Sequence, residues 1–413
     1  MKIALLNTYD IKGGASKAAF RLLHGLNSIG IGASMYVLCK LSNDKKVFGA
    51  TGLVGKFLAR FKQAVDYLPL LFYPKWNKEI FSTGLIPSTI FRKVNKFKPD
   101  IVHLHWINSG FINIEGLANF KSPIVWTMHD MWVFTGGFHY DNNLGNYRDL
   151  AGKCSVLGSN KNNDLSFKIL KRKEKAWRNL NIHFVAPSNW LAKCARESYL
   201  LRNRDVRVIP NGLDFDAFRP MEQKLARQKL NLPLDKKFVL FGAAQVDKDK
   251  RKGYELFLQS LDYLSDDDFD FVVFGRKSLE NSEKINNFKV HYLGEINDEE
   301  LLIAAYSACD VFVIPSVQEN LSNMVVEAMA CNIPVVAFNI GGMPDMIKHK
   351  ENGWLAKPFE VNDLATGIKW CLENKNIFSD NIRGAATEKF DLKIVAKQYR
   401  DLYQEIIDQK NKI

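Results

Sequence analysis

The sequence predicts an α/β protein made of two parallel-sheet domains, and three observations carry that expectation. Short apolar runs alternate with helical stretches, as strands and crossover helices do in a parallel sheet. Several runs are continuously apolar, as in Val311-Phe312-Val313-Ile314, which marks strands buried on both faces. The charge is also uneven. Residues 1–205 hold 30 Lys and Arg against 13 Asp and Glu, a net +17, while the remainder holds 27 against 32, a net −5. A basic half joined to a mildly acidic half reads as two domains with different partners. At 413 residues the chain is long enough for two or three domains.

Composition narrows the class further. The chain is 46% hydrophobic and 25% charged, ordinary for a soluble globular protein. No apolar run approaches the roughly 20 residues that span a bilayer. The first residues, Met1 to Asp10, are interrupted by polar side chains too early for a signal peptide. Six cysteines (39, 154, 194, 309, 331 and 371) are scattered without a C-x-x-C, which fits free thiols in a reducing cytoplasm and gives no zinc spacing. The basic half suits nucleic acid or an anionic membrane surface. No nucleic-acid motif appears, so the membrane surface is the preferred partner.

In chain order, Lys2 to Asn7 reads as a strand, Gly13-Gly14-Ala15-Ser16 as a loop, and Lys17 to Ser28 as a helix. Gly14 would let a phosphate or sugar approach the backbone near a helix N-terminus. Leu53 to Phe97 mixes apolar and aromatic residues with Lys56, Arg60, Lys62, Lys75 and Lys78. It fits either core-facing helices with solvated lysines or a basic face for membrane docking. In the strand Pro99 to Trp106, His103 and His105 share one side, but no third metal ligand is evident. The run Ile124 to Trp132 reads as a second strand, ending in His129-Asp130. At the carboxyl end of a parallel strand this imidazole can reach a ligand. Lys168 to Arg178 reads as a basic helix with a solvated face. Strands at Phe184–Ala186 and Val206–Ile209 complete the first half.

The second half alternates again: strand 238–241, helix 253–264, strand 269–274, strand 290–293, helix 301–308. Between Gly242 and Gly253 lie Lys248, Lys250, Arg251 and Lys252, cations suited to a diphosphate. The strand ending at Ile314 is followed by Pro315-Ser316, a polar loop with Glu319, a helix with Glu327, and a strand at Pro334 to Phe338. If both glutamates were helical, their spacing would put them about 12 Å apart. They would then touch two parts of one extended ligand. Lys393 to Ile413 reads as a terminal helix.

The run Glu319, Asn320-Leu321-Ser322, Glu327-Ala328-Met329-Ala330, Pro334-Val335-Val336, Gly341-Gly342 resembles the E-x7-E motif of retaining glycosyltransferases of family 4. Gly13-Gly14-Ala15, the Pro210-Asn211-Gly212 turn and Arg251-Lys252-Gly253 resemble other parts of that family. Thr127 to Tyr140 is similar to a bacterial subgroup acting in surface-polysaccharide assembly. In that subgroup Cys usually follows the Gly-Gly, whereas here Phe138 does, so no thiol cluster is expected.

The resemblance implies a GT-B fold, two Rossmann-like domains facing a central cleft. Residues 1–210 would bind acceptor, 211–390 the donor, and 391–413 would form a helix returning to the first domain. It implies a metal-independent, retaining hexosyltransferase without a cofactor. The donor would be a UDP- or GDP-sugar, and the acceptor a lipid-linked or oligosaccharide glycan. By the same resemblance His129 and Glu319 serve the reacting sugar and Glu327 the ribose. The Asn320, Leu321 and Ser322 backbone, with Arg251 and Lys252, serves the sugar and diphosphate. Gly14 lines the phosphate and acceptor side. The expected location is the cytoplasm or the inner face of the plasma membrane. The alternatives are another GT-B enzyme, either a sugar-nucleotide epimerase or a glycan phosphorylase, and a non-catalytic sugar-nucleotide-binding protein.

Overall fold

Every strand of the first sheet runs in the same direction, because each is reached through a crossover and not a hairpin. The computed structural model describes residues 1–142, 144–150, 152–242, 249–265, 269–275, 284–378 and 381–411. It forms two units, Met1–Gly212 with Leu392–Ile413, and Leu213–Asp391. In the first, β1 (Lys2–Tyr9), β2 (Gly32–Cys39), β3 (Val47–Ala50), β4 (Ile101–Leu104), β5 (Ile124–Thr127), β6 (Ile182–Ala186) and β7 (Val206–Val208) pair in the order β3-β2-β1-β4-β5-β6-β7. Ile3, Ala4, Leu5 and Leu6 are all fully buried, so both faces of β1 are covered. That is why the run is apolar without alternation.

The covering helices are α1 (Gly14–Ser28), α2 (Gly52–Tyr67), α3 (Ile90–Phe97), α4 (Leu165–Trp177) and α5 (Asn189–Glu197). On α1 the buried Ala18, Ala19, Leu22, Leu23 and Leu26 recur at helical spacing. The helix begins at Gly14, so Gly14 lies in its first turn and not in a loop. Gly13, at φ 91°, makes the turn from the strand instead.

In the second unit, β8 (Phe238–Gly242), β9 (Asp270–Phe274), β10 (Lys284–Ile285), β11 (Phe288–Gly294), β12 (Val311–Ile314), β13 (Val335–Phe338) and β14 (Gly353–Ala356) pair as β10-β11-β9-β8-β12-β13-β14. All pairings are parallel except β10 with β11. The helices are α6 (Gln223–Lys229), α7 (Tyr254–Ser260), α8 (Glu299–Ala308), α9 (Asn323–Ala330), α10 (Val361–Glu373) and α11 (Asn381–Phe390). The helix expected over 253–264 is shorter. A 3-10 turn at Lys250–Lys252 stops at Gly253, whose φ of 66° is left-handed, and α7 starts after it.

The last helix, α12 (Leu392–Asn411), belongs to the first unit. Its Val395, Tyr399, Leu402, Tyr403 and Ile406 join a buried cluster with Ile3, Leu5, Leu22 and Leu26. In each sheet the strand order reverses beside the first strand, at β1/β4 and at β8/β12. Ligands of open α/β sheets bind outside the carboxyl ends at such switch points.

Candidate functional site

At the β8/β12 switch point, two loops are joined through their backbones. The Val317 N–H donates to the Arg251 carbonyl at 2.8 Å. Gly253 abuts β12 so closely that a Cβ there would lie 1.8 Å from the Pro315 carbonyl oxygen. On the other side the Gly342 N–H donates to the Glu319 carbonyl at 3.1 Å, and a Cβ on Gly341 would stand 2.0 Å from that oxygen. Glycine is therefore required on both flanks of the Glu319 loop.

This scaffold brings together residues distant in sequence. Lys252 Nζ donates to Glu319 Oε2 at 3.0 Å, and Arg251 Nη2 donates to Asp249 Oδ2 at 2.6 Å. The side chains are 29 and 19% exposed in the first pair, 18 and 28% in the second. Such partly solvated pairs contribute little net stability and can exchange partners. Ser316, Gln318, Asn320, Leu321 and Ser322 are buried. The Ser316 hydroxyl has no hydrogen-bond partner among the described residues. A buried polar atom in that state fits a site completed by a ligand or water.

Helix α9 begins just beyond, with no acidic residue in its first turn. Its N-terminus therefore carries no carboxylate to compete with an anion. Glu327 is buried on this helix, and Tyr306 Oη donates to its Oε2 at 3.2 Å. Lys248 lies outside the described residues.

The first unit has a different chemistry at the ends of β4 and β5. His129 is half-buried and shares a 3.0 Å hydrogen bond, Nε2 to Nδ1, with the buried His105. His103, fully buried, meets Thr127 Oγ1 at 2.8 Å and Tyr403 Oη at 2.7 Å, and Thr127 Oγ1 meets Tyr399 Oη at 2.7 Å. The chain of contacts thus runs from α12 into both strands. Burial pushes His129 down to about 4, against the opposing pull of Asp130. Burial, helped by His129, pushes His103 down to about 3. Burial and its two neighbours hold His105 well below its ordinary value. All three rings are neutral at pH 7. They offer hydrogen bonds rather than positive charge.

Nearby, Asn7 fixes the Gly14 end of α1. Its Nδ2 donates to Ser16 Oγ at 2.8 Å, and its Oδ1 accepts from the Trp106 N–H at 2.7 Å. Among the described residues no group of three or more His, Cys, Asp or Glu is placed to hold a metal ion.

Two arrangements need separating from this chemistry. Ser82 Oγ, His139 Nε2/Nδ1 and Asp130 Oδ2 line up at 2.9 and 2.6 Å like a nucleophile triad. Ser82 and His139 are each only 1% exposed, so no substrate reaches the hydroxyl and the array is structural. Burial works to raise the Asp130 carboxyl, but the His139 ring and donors from Trp132 and Trp106 outweigh it and hold the carboxyl low.

The expected solvated face of Lys168 to Arg178 holds for the exposed Lys168, Lys175 and Arg178 and fails at one residue. Lys173, on α4, is fully buried. Its Nζ donates to the Trp132 and Thr135 carbonyls and lies 3.5 Å from the centroid of the Trp132 ring. Burial pushes this amine well below its ordinary value. The aliphatic stem fills core volume while the head satisfies two carbonyls.

Residues 222–389 match the family model of Glycosyl transferases group 1, and residues 12–217 match that of Glycosyltransferase Family 4. The chain belongs to the group 1 glycosyltransferases. A curated relative is the N,N'-diacetylbacillosaminyl-diphospho-undecaprenol alpha-1,3-N-acetylgalactosaminyltransferase of Campylobacter jejuni. It is 29% identical over 54% of this chain and 60% of its own length. The UDP-Gal:alpha-D-GlcNAc-diphosphoundecaprenol alpha-1,3-galactosyltransferase of Escherichia coli is 25% identical over 53% of this chain and 62% of its own. The chain thus spans about three fifths of the length of these two relatives. Among solved structures, the sucrose-phosphate synthase of Thermosynechococcus elongatus superposes with a TM-score of 0.71 at 20% identity, covering 99% of both chains. The Anabaena HepE protein in complex with UDP and glucose gives 0.66 at 16%, covering 98% of this chain and 99% of that one. These likenesses establish the GT-B fold, with each unit a Rossmann-like domain.

Sequence reading singled out Glu319, Lys252, Arg251, Glu327 and His129. It does not reveal the Lys252–Glu319 and Arg251–Asp249 pairs, the His105 partner of His129, or the buried Ser316 hydroxyl without a partner among the described residues. The His103/His105 spacing is the sequence signal for an imidazole cluster.

Proposed function

We propose that the protein transfers a hexose from a UDP- or GDP-sugar to a lipid-linked or growing glycan acceptor in surface-polysaccharide assembly, in the cytoplasm. The reaction retains the anomeric configuration and uses no metal ion. The observation that carries this reading is the Lys252–Glu319 pair at 3.0 Å, in a loop whose buried Ser316 hydroxyl has no partner among the described residues. The cations, the hydroxyl and the start of α9 all follow the carboxyl ends of β8 and β12, where a diphosphate would bind. The relatives' activities, which involve a UDP-sugar donor and diphosphoundecaprenol-linked acceptors, support the same substrate classes.

The mechanism follows from the charges. As the glycosidic bond breaks, negative charge develops on the leaving diphosphate. Lys252 and Arg251 turn from their carboxylate partners to phosphate oxygens, and the N–H groups of Asn320 to Ser322 add donors. Fixed donors aimed at developing charge are usually the largest catalytic term. Released from Lys252, Glu319 accepts hydrogen bonds from hydroxyls of the transferred sugar. Glu327, held by Tyr306, accepts from the ribose. His129 is neutral, so it serves the sugar by hydrogen bonding, oriented through His105. Gly14 lines the phosphate and acceptor side. The acceptor attacks from the face the diphosphate leaves, and a phosphate oxygen takes its proton.

Thermal-shift screening against UDP- and GDP-sugars tests the donor class, since a ligand raises stability with its excess over the dissociation constant. Turnover of the bound donor with an undecaprenyl-diphosphate-linked saccharide, with and without EDTA, tests transfer and metal independence. NMR of the new linkage reads its anomeric configuration. No shift with any nucleotide sugar contradicts the donor assignment. Donor turnover requiring no acceptor, or requiring free phosphate, points to an epimerase or a phosphorylase instead.

A further inference from the structure

Helix α2 turns its apolar face outward. The residues it buries are Gly55, Ala59 and Asp66. On the far side Leu53, Val54, Phe57 and Phe61 are 86, 73, 70 and 56% exposed. At about 100° of rotation per residue, these four fall with Ala64 and Leu68 in one arc of about 100°. The 3-10 turn Leu68–Phe72 extends the surface, with Leu71 and Phe72 76 and 85% exposed. Phe57 and Phe61 stack on each other, 6.3 Å apart.

The opposite face of the helix is the one that packs on the domain: Ala59 is buried in the core and Leu58 and Tyr67 lie against it. Asp66 accepts from Thr83 Oγ1 at 2.6 Å and from the N–H groups of Thr83 and Leu85 at 3.2 and 3.3 Å. The apolar stripe is therefore not a displaced piece of core. A contiguous patch of this kind marks an interaction surface.

Charge decides what covers it. Residues 51–98 hold nine Lys and Arg against two acids, Asp66 and Glu79, and Asp66 is buried. Lys56, Arg60, Lys75 and Lys78 are exposed on α2 and just beyond the 3-10 turn. An apolar stripe with cations at its rim matches a bilayer interface, where acyl chains take the stripe and lipid phosphates the cations. A second copy fits poorly, because isologous pairing would set Lys56 and Arg60 against their own kind.

We propose that α2 and Leu68–Phe72 form a docking surface for an anionic lipid bilayer. Phe57, Phe61, Leu71 and Phe72 enter the acyl boundary, and Lys56, Arg60 and Lys75 meet headgroup phosphates. This inference rests on no part of the transferase reading, and donor binding is measured separately from it.

The test is cosedimentation of the full chain with vesicles of phosphatidylcholine alone, or with about one third phosphatidylglycerol, at low and high salt. Binding is expected only to the phosphatidylglycerol vesicles, weakening with salt. A Phe57→Asp/Phe72→Asp variant, altered only at exposed positions, should keep the native melting temperature and lose binding by about tenfold or more. Lys56→Gln/Arg60→Gln should weaken binding less and reduce its salt dependence. Failure to bind phosphatidylglycerol vesicles, or equal binding by the Phe57→Asp/Phe72→Asp variant, overturns the proposal. A dimer in sedimentation velocity that the aspartate substitutions dissociate assigns the surface to a second copy and also overturns it.

Discussion

In the first unit the imidazoles of β4, β5 and the residues just after them are neutral and largely buried, whereas in the second Lys252, Arg251 and their carboxylate partners are charged and partly open to water. His103, Thr127, Tyr399 and Tyr403 form a closed hydrogen-bonded group, and His105 hands His129 its orientation. Lys252 and Arg251 instead hold carboxylates that a diphosphate can displace. Groups that only orient a ligand tolerate burial, because a neutral ring with its hydrogen bonds made costs little to desolvate. Groups that exchange a carboxylate for a phosphate must keep some water, because a dry ion pair would be too costly to open. The difference between the units is a difference in what each set of side chains has to do when a ligand arrives.

Breaking the charged side should have the largest effect. Lys252→Ala and Glu319→Ala should each lower the transfer rate about 100- to 1000-fold, the usual loss for a preorganised donor or its partner. Circular dichroism melts should stay near wild type, since the pair is partly exposed. Gly253→Ala should act through the scaffold. A side chain at φ 66° facing the Pro315 carbonyl at 1.8 Å must displace the Arg251–Val317 contact. A loss of about 2 kcal/mol or more in urea unfolding is expected, with weakened donor binding.

The neutral side should respond to pH. His103 and His129 titrate near 3 and 4 when folded, below their ordinary 6.5. Between those values the unfolded chain binds more protons. Their contribution is therefore complete above about pH 6.5 and is lost as pH falls toward 4 and below, at up to about 1.4 kcal/mol per pH unit for each ring. Unfolding midpoints from pH 7.5 to 4.5 check this, and His103→Phe should flatten the slope. The smallest effect belongs to Tyr403→Phe, which leaves His103 Nδ1 without its donor or acceptor. It should cost about 1–3 kcal/mol in stability, with donor affinity unchanged.

Much of the fold is legible because strands buried on both faces have no choice but continuous apolar runs, as Val311 to Ile314 shows. Boundaries are less so. Whether Gly14 belongs to loop or helix depends on where Gly13 turns, and the two glycines look alike in sequence. Lys173 shows the limit most clearly. It stands among six Lys and Arg in Lys168 to Arg178, and only the packing of Trp132 above α4 makes it an interior residue. The Lys252–Glu319 pair joins positions 67 residues apart, and the His105–His129 pair positions 24 apart. Motif spacing names such residues, but their contact is made by parallel strands lying side by side.

The assignment of Lys252 to the leaving diphosphate is the claim on which the proposed chemistry turns, and calorimetry tests it directly. UDP, GDP and their nucleosides are titrated into the wild-type protein and into Lys252→Ala. The expected result is a nucleoside diphosphate that binds about 10- to 100-fold more weakly to Lys252→Ala, as a lost charge-assisted hydrogen bond would give, with nucleoside affinity unchanged. Equal diphosphate affinity in the two proteins would contradict the assignment.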